Sequence, residues 1–507
     1  MSFLERAYLI PLALVLVHIV LAPLHVNLDC AMFLVAGRTI VDGGLPFVDA
    51  IDTNPPLVMY LSAIPALLER VLPLHVTTIF SLLVLAAAVA STGALRRLLG
   101  RPELELSRAE VGVVLLVWTS GVLYTDLGDQ WGQRDQLFVL AFYPYLVLRW
   151  LRWQGGAPGT ALSLALGLAT GVTVCFRPEL LVLAAAPELA FVLGRRRLRP
   201  LLAPETLALA AAGMGYAAHF LLLPEVARVA IFERWAPFIV RGYSVFDMPL
   251  REVLLGGILW LALASAALPW LLVEVARPFA DRPFWRLARA LALVTVVAAV
   301  LFVLGCKGWT YRLYPTLGGA VLVLGLSLAA VLRRLPASGF HRLRIALVVA
   351  CCLAPMLARR SSPFDVFDTF DRRNLAIAKL LEAHSRRGDR ILFLTTNVSP
   401  PHPVLVQTDR RLATRYLNFF PIAMLQAHPD PAAERRFVED VLADVDAAPP
   451  AMIFIFHGRM AAVPESFDMV TFLRGNGLLP RLLDGYHEVT STTRMTVYAR
   501  ATSAGSG

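Results

Sequence analysis

The chain has 507 residues, 57% of them hydrophobic and 17% charged, with a mean hydropathy of +0.64. That composition is too apolar for an ordinary soluble globule. Its net charge of +10 comes from basic residues clustered in short segments between apolar runs, which is the positive-inside pattern of a membrane protein and argues against nucleic-acid binding.

Apolar runs of about 20 residues recur up to residue 357, the length that crosses a hydrocarbon core of roughly 30 Å. The first, residues 7–24, lacks a small-residue cleavage site and reads as a retained span. Residues 27–57 follow as an acidic loop with Asp29, Asp42, Asp49 and Asp52 before the Pro55-Pro56 break. Residues 57–72 form a short run interrupted by Pro65, Glu69 and Arg70, placed at the outer interface. Counting this run as a crossing would reverse the charge pattern of every later loop.

The second span, 76–95, ends at Arg96, Arg97 and Arg101. The third, 111–124, leads out to DLGDQWGQRDQ, and the fourth, 137–151, returns to Arg149 and Arg152. Spans five and six flank Arg177-Pro178 and end at Arg195, Arg196, Arg197 and Arg199. The seventh, 201–223, opens into the long loop 224–250, and the eighth returns to Arg282, Arg286 and Arg289. The ninth, 291–304, leads to CKGWTYRLYP. The tenth ends at Arg333 and Arg334, and the eleventh, 345–357, leads out again.

The texture changes after residue 359. Helical spacing over 372–387, buried strands from Ile391 and Ala451, a helix over 431–445, a short helix at 467–473 and an alternating strand at 488–499 predict a small α/β domain. The fold class is therefore mainly α. A polytopic bundle of about 11 spans (1–358) precedes an extracytoplasmic α/β domain (359–500) and a disordered tail (501–507). The five cysteines, Cys30, Cys175, Cys306, Cys351 and Cys352, have no framework spacing and read as small buried hydrophobes.

Three polar clusters fall on one predicted side. They are Asp29, Asp49, Asp52 and Asn54; then Asp126, Asp129, Trp131, Gln133, Arg134 and Asp135; then Lys307, Trp309, Tyr311, Arg312 and Tyr314. Arg177 is a further contributor. Carboxylates there can act as bases, and the cations can hold an anion. Each residue also has a plainer reading. Asp29 and Asp135 can cap helices, Lys307 can snorkel, Arg177 can reach water, and the aromatic residues can form an interfacial belt. The histidines show no ligand spacing, and His402, His428, His457 and His487 read as surface residues.

GGLPFVDAIDTNPPL resembles the first outer loop of the GT-C glycosyltransferases. These polyprenyl-phosphate-sugar-dependent membrane enzymes include protein O-mannosyltransferases and aminoarabinose transferases. WGQRDQLFVLAFYPYL resembles their second acidic motif, and CKGWTYRLYP resembles their late K-G-x-x-Y-H-x-x-P motif. There are departures: Asn54 stands where Lys is common, Arg312 where His is common, and Asp29 is followed by Cys30 rather than by a second acid.

The resemblance implies an inverting transferase at the outer face of a bacterial-type inner membrane. The donor would be a polyprenyl-phosphate sugar and the acceptor a hydroxyl of a glycan, lipid or protein. Lys307 and Arg312 would hold the donor phosphate with Tyr311 and with Arg134 or Arg177. Asp29 would be the base and Asp135 a second catalytic residue, while Asp49, Asp52 and Asn54 would bind or shape the substrate site. No cofactor is required, although a divalent metal would find oxygen ligands at Asp29 and Asp135. The rival reading is a transporter or flippase of a lipid-linked sugar, which predicts broken helices and repeated halves; no repeat is visible. A non-catalytic assembly subunit would leave the acid-and-cation pattern unexplained.

Overall fold

The computed structural model describes residues 3–124, 130–275, 279, 281–334, 372–458 and 460–501. Asp126, Asp129, the eleventh apolar run, Cys351, Cys352 and the tail 502–507 lie outside the described residues. The chain divides into two compact units. The first comprises 1–22, 81–219 and 247–367; the second comprises 23–80, 220–246 and 368–507.

The opening helices are α1 (Leu9–Leu21), α2 (Leu28–Val41), α3 (Leu57–Glu69), α4 (Val76–Leu99) and α5 (Arg108–Tyr124). Among the described residues, three helices are long and apolar enough to cross a bilayer: Val76–Leu99, Pro283–Leu304 and Thr310–Arg334. A fourth is added if Pro204–Leu222 and Glu225–Phe246 count as one broken span. About 11 spans were expected. The difference has a physical basis in helix length and charge. Leu9–Leu21 and Thr160–Val174 have only 13 and 15 residues, and a crossing takes about 20. The 20-residue helix Arg134–Trp153 carries Arg134, Asp135, Arg149 and Arg152.

In the first unit, close packing depends on small residues. A side chain added at Gly318 would run into Tyr143 and Val139, and one at Gly319 into Thr295. Glycine there lets the helix Tyr314–Arg334 approach its neighbours closely, as in other membrane bundles. The Tyr143 hydroxyl donates to the Pro315 carbonyl across the same contact. Arg149 and Arg152, expected at the cytoplasmic end of the fourth span, belong to a buried network. Arg149 is fully buried. Its Nε and Nη2 donate to Glu188 at 2.5 and 2.8 Å, and its Nη1 donates to Glu205 at 2.7 Å. Arg152 adds bonds of 3.0 and 3.1 Å to Glu205.

The second unit is built on five strands: β1 (Arg390–Leu394), β2 (Arg411–Leu412), β3 (Met452–Phe456), β4 (Tyr486–Ser491) and β5 (Met495–Arg500). Their order is β2-β1-β3-β5-β4. β1 pairs in parallel with β2 and β3, and β5 runs antiparallel to β3 and β4. The single strand expected over 488–499 is a hairpin, reversed where the Thr492 N–H donates to the Met495 carbonyl. The near-continuous apolar run of β3 suits a strand covered on both faces. The core joins Phe47 and Ile51 to Trp235, Tyr416 and Phe437.

Residues 28–41, expected as part of an acidic loop, are helical. The Asn27 side chain caps α2 by accepting from the Asp29 and Cys30 amides at 2.9 and 3.2 Å. The helix ends at Gly43, whose φ of 94° suits glycine. The chain then pairs with the C-terminal segment. The Ile51 amide donates to the Arg415 carbonyl at 2.8 Å, and the Leu417 amide donates to the Ile51 carbonyl at 3.1 Å.

Candidate functional site

The second and third sequence motifs meet within the first unit. Arg134 and Asp135 open the helix Arg134–Trp153, and Asp135 is fully buried. Its Oδ1 forms an ion pair with Arg177, which excludes the simple capping reading. The N-cap is Gln133. Arg177 also pairs with Glu179 at 2.9 Å. Glu179 in turn lies within electrostatic reach of Arg312, and Arg177 within reach of Tyr311.

The late motif forms a tight loop. Cys306 and Gly308 both have positive φ, 48° and 63°. The Met248 amide donates to the Cys306 carbonyl at 2.6 Å, and Lys307 pairs with Asp247. Lys307 and Tyr311 are buried. The Arg312 guanidinium lies 4.9 Å from the Trp309 ring centroid, and Trp309 stacks on Tyr311. The named groups are four cations, Arg134, Arg177, Lys307 and Arg312, and three carboxylates, Asp135, Glu179 and Asp247. Cations of this kind can hold an anion such as a phosphate through charge-assisted hydrogen bonds.

Sequence reasoning missed Asp247 and Glu179. Glu179 stands two residues after Arg177 in RPE, so its spacing was a signal. Asp247 is 60 positions from its partner and carries none.

The first motif lies in the second unit. Asp29 sits in the first turn of α2, half-buried, and the cap is Asn27 rather than Asp29. Asp49 is exposed and accepts from the Leu45 amide at 2.8 Å, which shapes the turn. Asp52 is buried and accepts from the Asn54 side-chain nitrogen at 2.5 Å. Asn54, which stands where the resembling enzymes have Lys, thus satisfies a buried carboxylate through an amide.

A second polar network in this unit escaped the sequence altogether. Arg38 donates to Glu69 at 2.8 Å and to Asp409 at 3.0 Å, and His75 approaches Asp409 at 3.3 Å. Burial alone would raise the Asp409 carboxyl, but His75 and Arg38 outweigh it and bring it down to about 2. Ligand atoms of Glu69, His75 and Asp409 lie within 4.8 Å of one another. Arg38 already donates to both carboxylates, and Arg387 lies 3.6 Å from Asp409, so cations already answer this network. Among the described residues this is the one cluster with metal-ligand spacing, and it contains neither Asp29 nor Asp135.

His402, expected at the surface, is buried, and that burial pushes its pKa down to about 4. Its neighbours Pro401–Gln407 form a helix that the run of prolines concealed.

No protein-family model matches the chain, and no curated protein matches it in sequence. Solved structures do match in fold. ArnT from Cupriavidus metallidurans bound to undecaprenyl phosphate superposes with a TM-score of 0.58 at 14% identity, covering 98% of each chain. The same protein in the apo state gives 0.57 at 15% identity, covering 98% of this chain and 99% of that one. The chain therefore shares the fold of these two structures over nearly its whole length, in line with the fold expected from the motif resemblance.

Proposed function

We propose that this protein is an inverting glycosyltransferase that moves a sugar from a polyprenyl-phosphate donor to a hydroxyl acceptor. The observation that carries the reading is the cluster of Lys307, Arg312, Arg177 and Asp135 in a chain with the fold of a protein solved with undecaprenyl phosphate. Lys307 and Arg312 hold the donor phosphate, with Tyr311 packed beside them and Arg134 and Arg177 adding positive charge. The acceptor oxygen attacks the anomeric carbon as the bond from that carbon to the phosphate oxygen breaks. Asp29 takes the acceptor proton, and the cations stabilise the charge growing on the leaving phosphate. Asp135 holds Arg177 in place. Asp49, Asp52 and Asn54 shape the segment after α2. The transporter reading has no comparable support, since no repeated halves are visible in the sequence.

The reading is tested by incubating purified protein with radiolabelled polyprenyl-phosphate sugars and candidate glycan, lipid and protein acceptors, then identifying the product and its anomeric configuration. A retained configuration, or vesicle translocation of the donor without transfer, would overturn it.

Lys307→Ala and Arg312→Ala are each expected to weaken binding of undecaprenyl phosphate roughly tenfold or more, because hydrogen bonds to a charged group contribute about 1.5–3 kcal/mol. Titration of the purified variants measures this, and unchanged affinity in both would return the segment to an aromatic-belt role.

The same reading puts Arg96, Arg195 and Arg334 on the cytoplasmic side of an inner membrane, and Asp49, Lys307 and the sheet-bearing segment outside. A cysteine introduced at Ser399 should be labelled by an impermeant reagent in intact spheroplasts. Protection of that cysteine in a folded variant would count against this orientation.

A further inference from the structure

The second unit contains a cleft of about 740 Å³, within the size range of small-ligand sites. It is lined where the ends of α2 and α3 meet the starts of β1 and β2. Arg390 and Arg411 are direct partners in the parallel register of β1 and β2. Aligned residues on neighbouring strands project to the same face, so two exposed guanidiniums lie side by side there. Like charges placed opposite each other destabilise a sheet unless something neutralises them.

Only part of that charge is answered. Arg411 pairs with Asp42 at 3.1 Å, but Arg70 uses the same carboxylate at 2.5 Å. Arg390 makes no ion pair among the described residues. Two guanidiniums, those of Arg70 and Arg411, therefore share one carboxylate at this end of the cleft, and Arg390 lies beside Arg411 in the strand register. The side chains of Arg70 and Arg411 remain 51% and 60% exposed, so their donors are open to an incoming anion. The other cleft arginines are committed elsewhere: Arg38 to Glu69 and Asp409, Arg415 to Asp444, and Arg410 to the carbonyls of Leu381, Ser385 and Thr408.

The rest of the lining decides what accompanies the anion. The cleft is far larger than a phosphate. Asp49 and Glu69 are among the lining residues, and polar and charged residues outnumber the apolar ones, Val35, Val41, Ala66, Leu412 and Leu417. Such a surface suits hydroxyl groups, which donate to carboxylates and accept from guanidiniums. We propose that this cleft binds a sugar carrying a phosphate monoester, with the phosphate held by Arg70, Arg390 and Arg411 and the hydroxyls directed toward Asp49 and Glu69. The proposal concerns residues other than the donor cations and stands independently of them.

The test uses the full-length protein in nanodiscs, titrated calorimetrically with glucose 6-phosphate, inorganic phosphate and glucose. Glucose 6-phosphate is expected to bind saturably at about millimolar concentration or below, inorganic phosphate more weakly, and glucose not measurably. The double variant Arg390→Gln/Arg411→Gln should weaken glucose 6-phosphate binding roughly tenfold or more, with an unchanged thermal midpoint, since both side chains are exposed. Lys307→Ala should leave this binding intact while weakening undecaprenyl phosphate, which separates this cleft from the donor site. A second arm places phosphatidic acid in the nanodisc as a lipid phosphate without a sugar. Binding of phosphatidic acid that depends on Arg390 and Arg411, with none of glucose 6-phosphate, would overturn the proposal in favour of a lipid headgroup. Absence of saturable glucose 6-phosphate binding, or binding indifferent to the double substitution, would also overturn it.

Discussion

Asp29→Asn is expected to reduce sugar transfer by at least about two orders of magnitude, the lower end of what a positioned general base contributes. The substitution keeps the size of the side chain and leaves the Asn27 cap on α2 in place, so expression and helix integrity should be near normal. Undecaprenyl phosphate binding should also persist, because the phosphate is assigned to Lys307 and Arg312. Asp49→Asn should cost much less, since Asp49 is exposed and serves the turn at Leu45. The decisive comparison is initial rate against donor affinity in the same preparation. Near-normal turnover would exclude Asp29 as the base and shift attention to Asp135. Parallel loss of donor binding would instead point to a metal ion at Asp29 that docks the phosphate.

The largest stability effect is expected at Arg149. Removing one member of a buried, hydrogen-bonded ion pair leaves the other charge uncompensated, at a cost of about 3–5 kcal/mol. Arg149→Ala strands Glu188 and weakens the hold on Glu205, which is itself fully buried. It should lower the unfolding midpoint of the detergent-solubilised protein clearly, whereas Arg96→Ala, at a more weakly bonded position, should hardly move it. Combining Arg149→Met with Glu188→Gln should recover part of the loss, since it removes charge on both sides. An unchanged midpoint in Arg149→Ala would mean that water reaches the network and screens it.

The sequence made some of this visible and concealed the rest for identifiable reasons. Strands such as Arg390–Leu394 and Met452–Phe456 announce themselves as short apolar runs, and the helix Pro431–Ala447 by its spacing and its Asp430 cap. The helix at residues 28–41 was hidden because its acidic first turn and the Asp residues beyond its end gave the whole stretch the character of a loop. Arg134, Asp135 and Arg177 were singled out separately, and their meeting depends on helix packing that no local pattern encodes. The contacts of Asp409 with Arg38 and of Lys307 with Asp247 are 371 and 60 residues apart in sequence. Nothing in their spacing marks either pair. Fewer helices among the described residues pass a length-and-composition test for crossing than the apolar runs suggest, because hydropathy registers apolar length whereas that test also needs a long unbroken helix.

Ile51 and Tyr416 form a parallel bridge, and this has a bearing on how the protein is made. At a synthesis rate of about 5–20 residues per second, roughly 20–70 s separate the emergence of the two partners. Throughout that interval Phe47 and Ile51 lack Tyr416 and Phe437, which later complete their core. The segment after α2 must therefore wait, exposed to chaperones and proteases, for nearly the whole chain to be translated. Fragments released early would carry Asp29 and the acidic segment but never the residues that fix them, so a truncated product would be both inactive and marked for degradation by its own unburied surface.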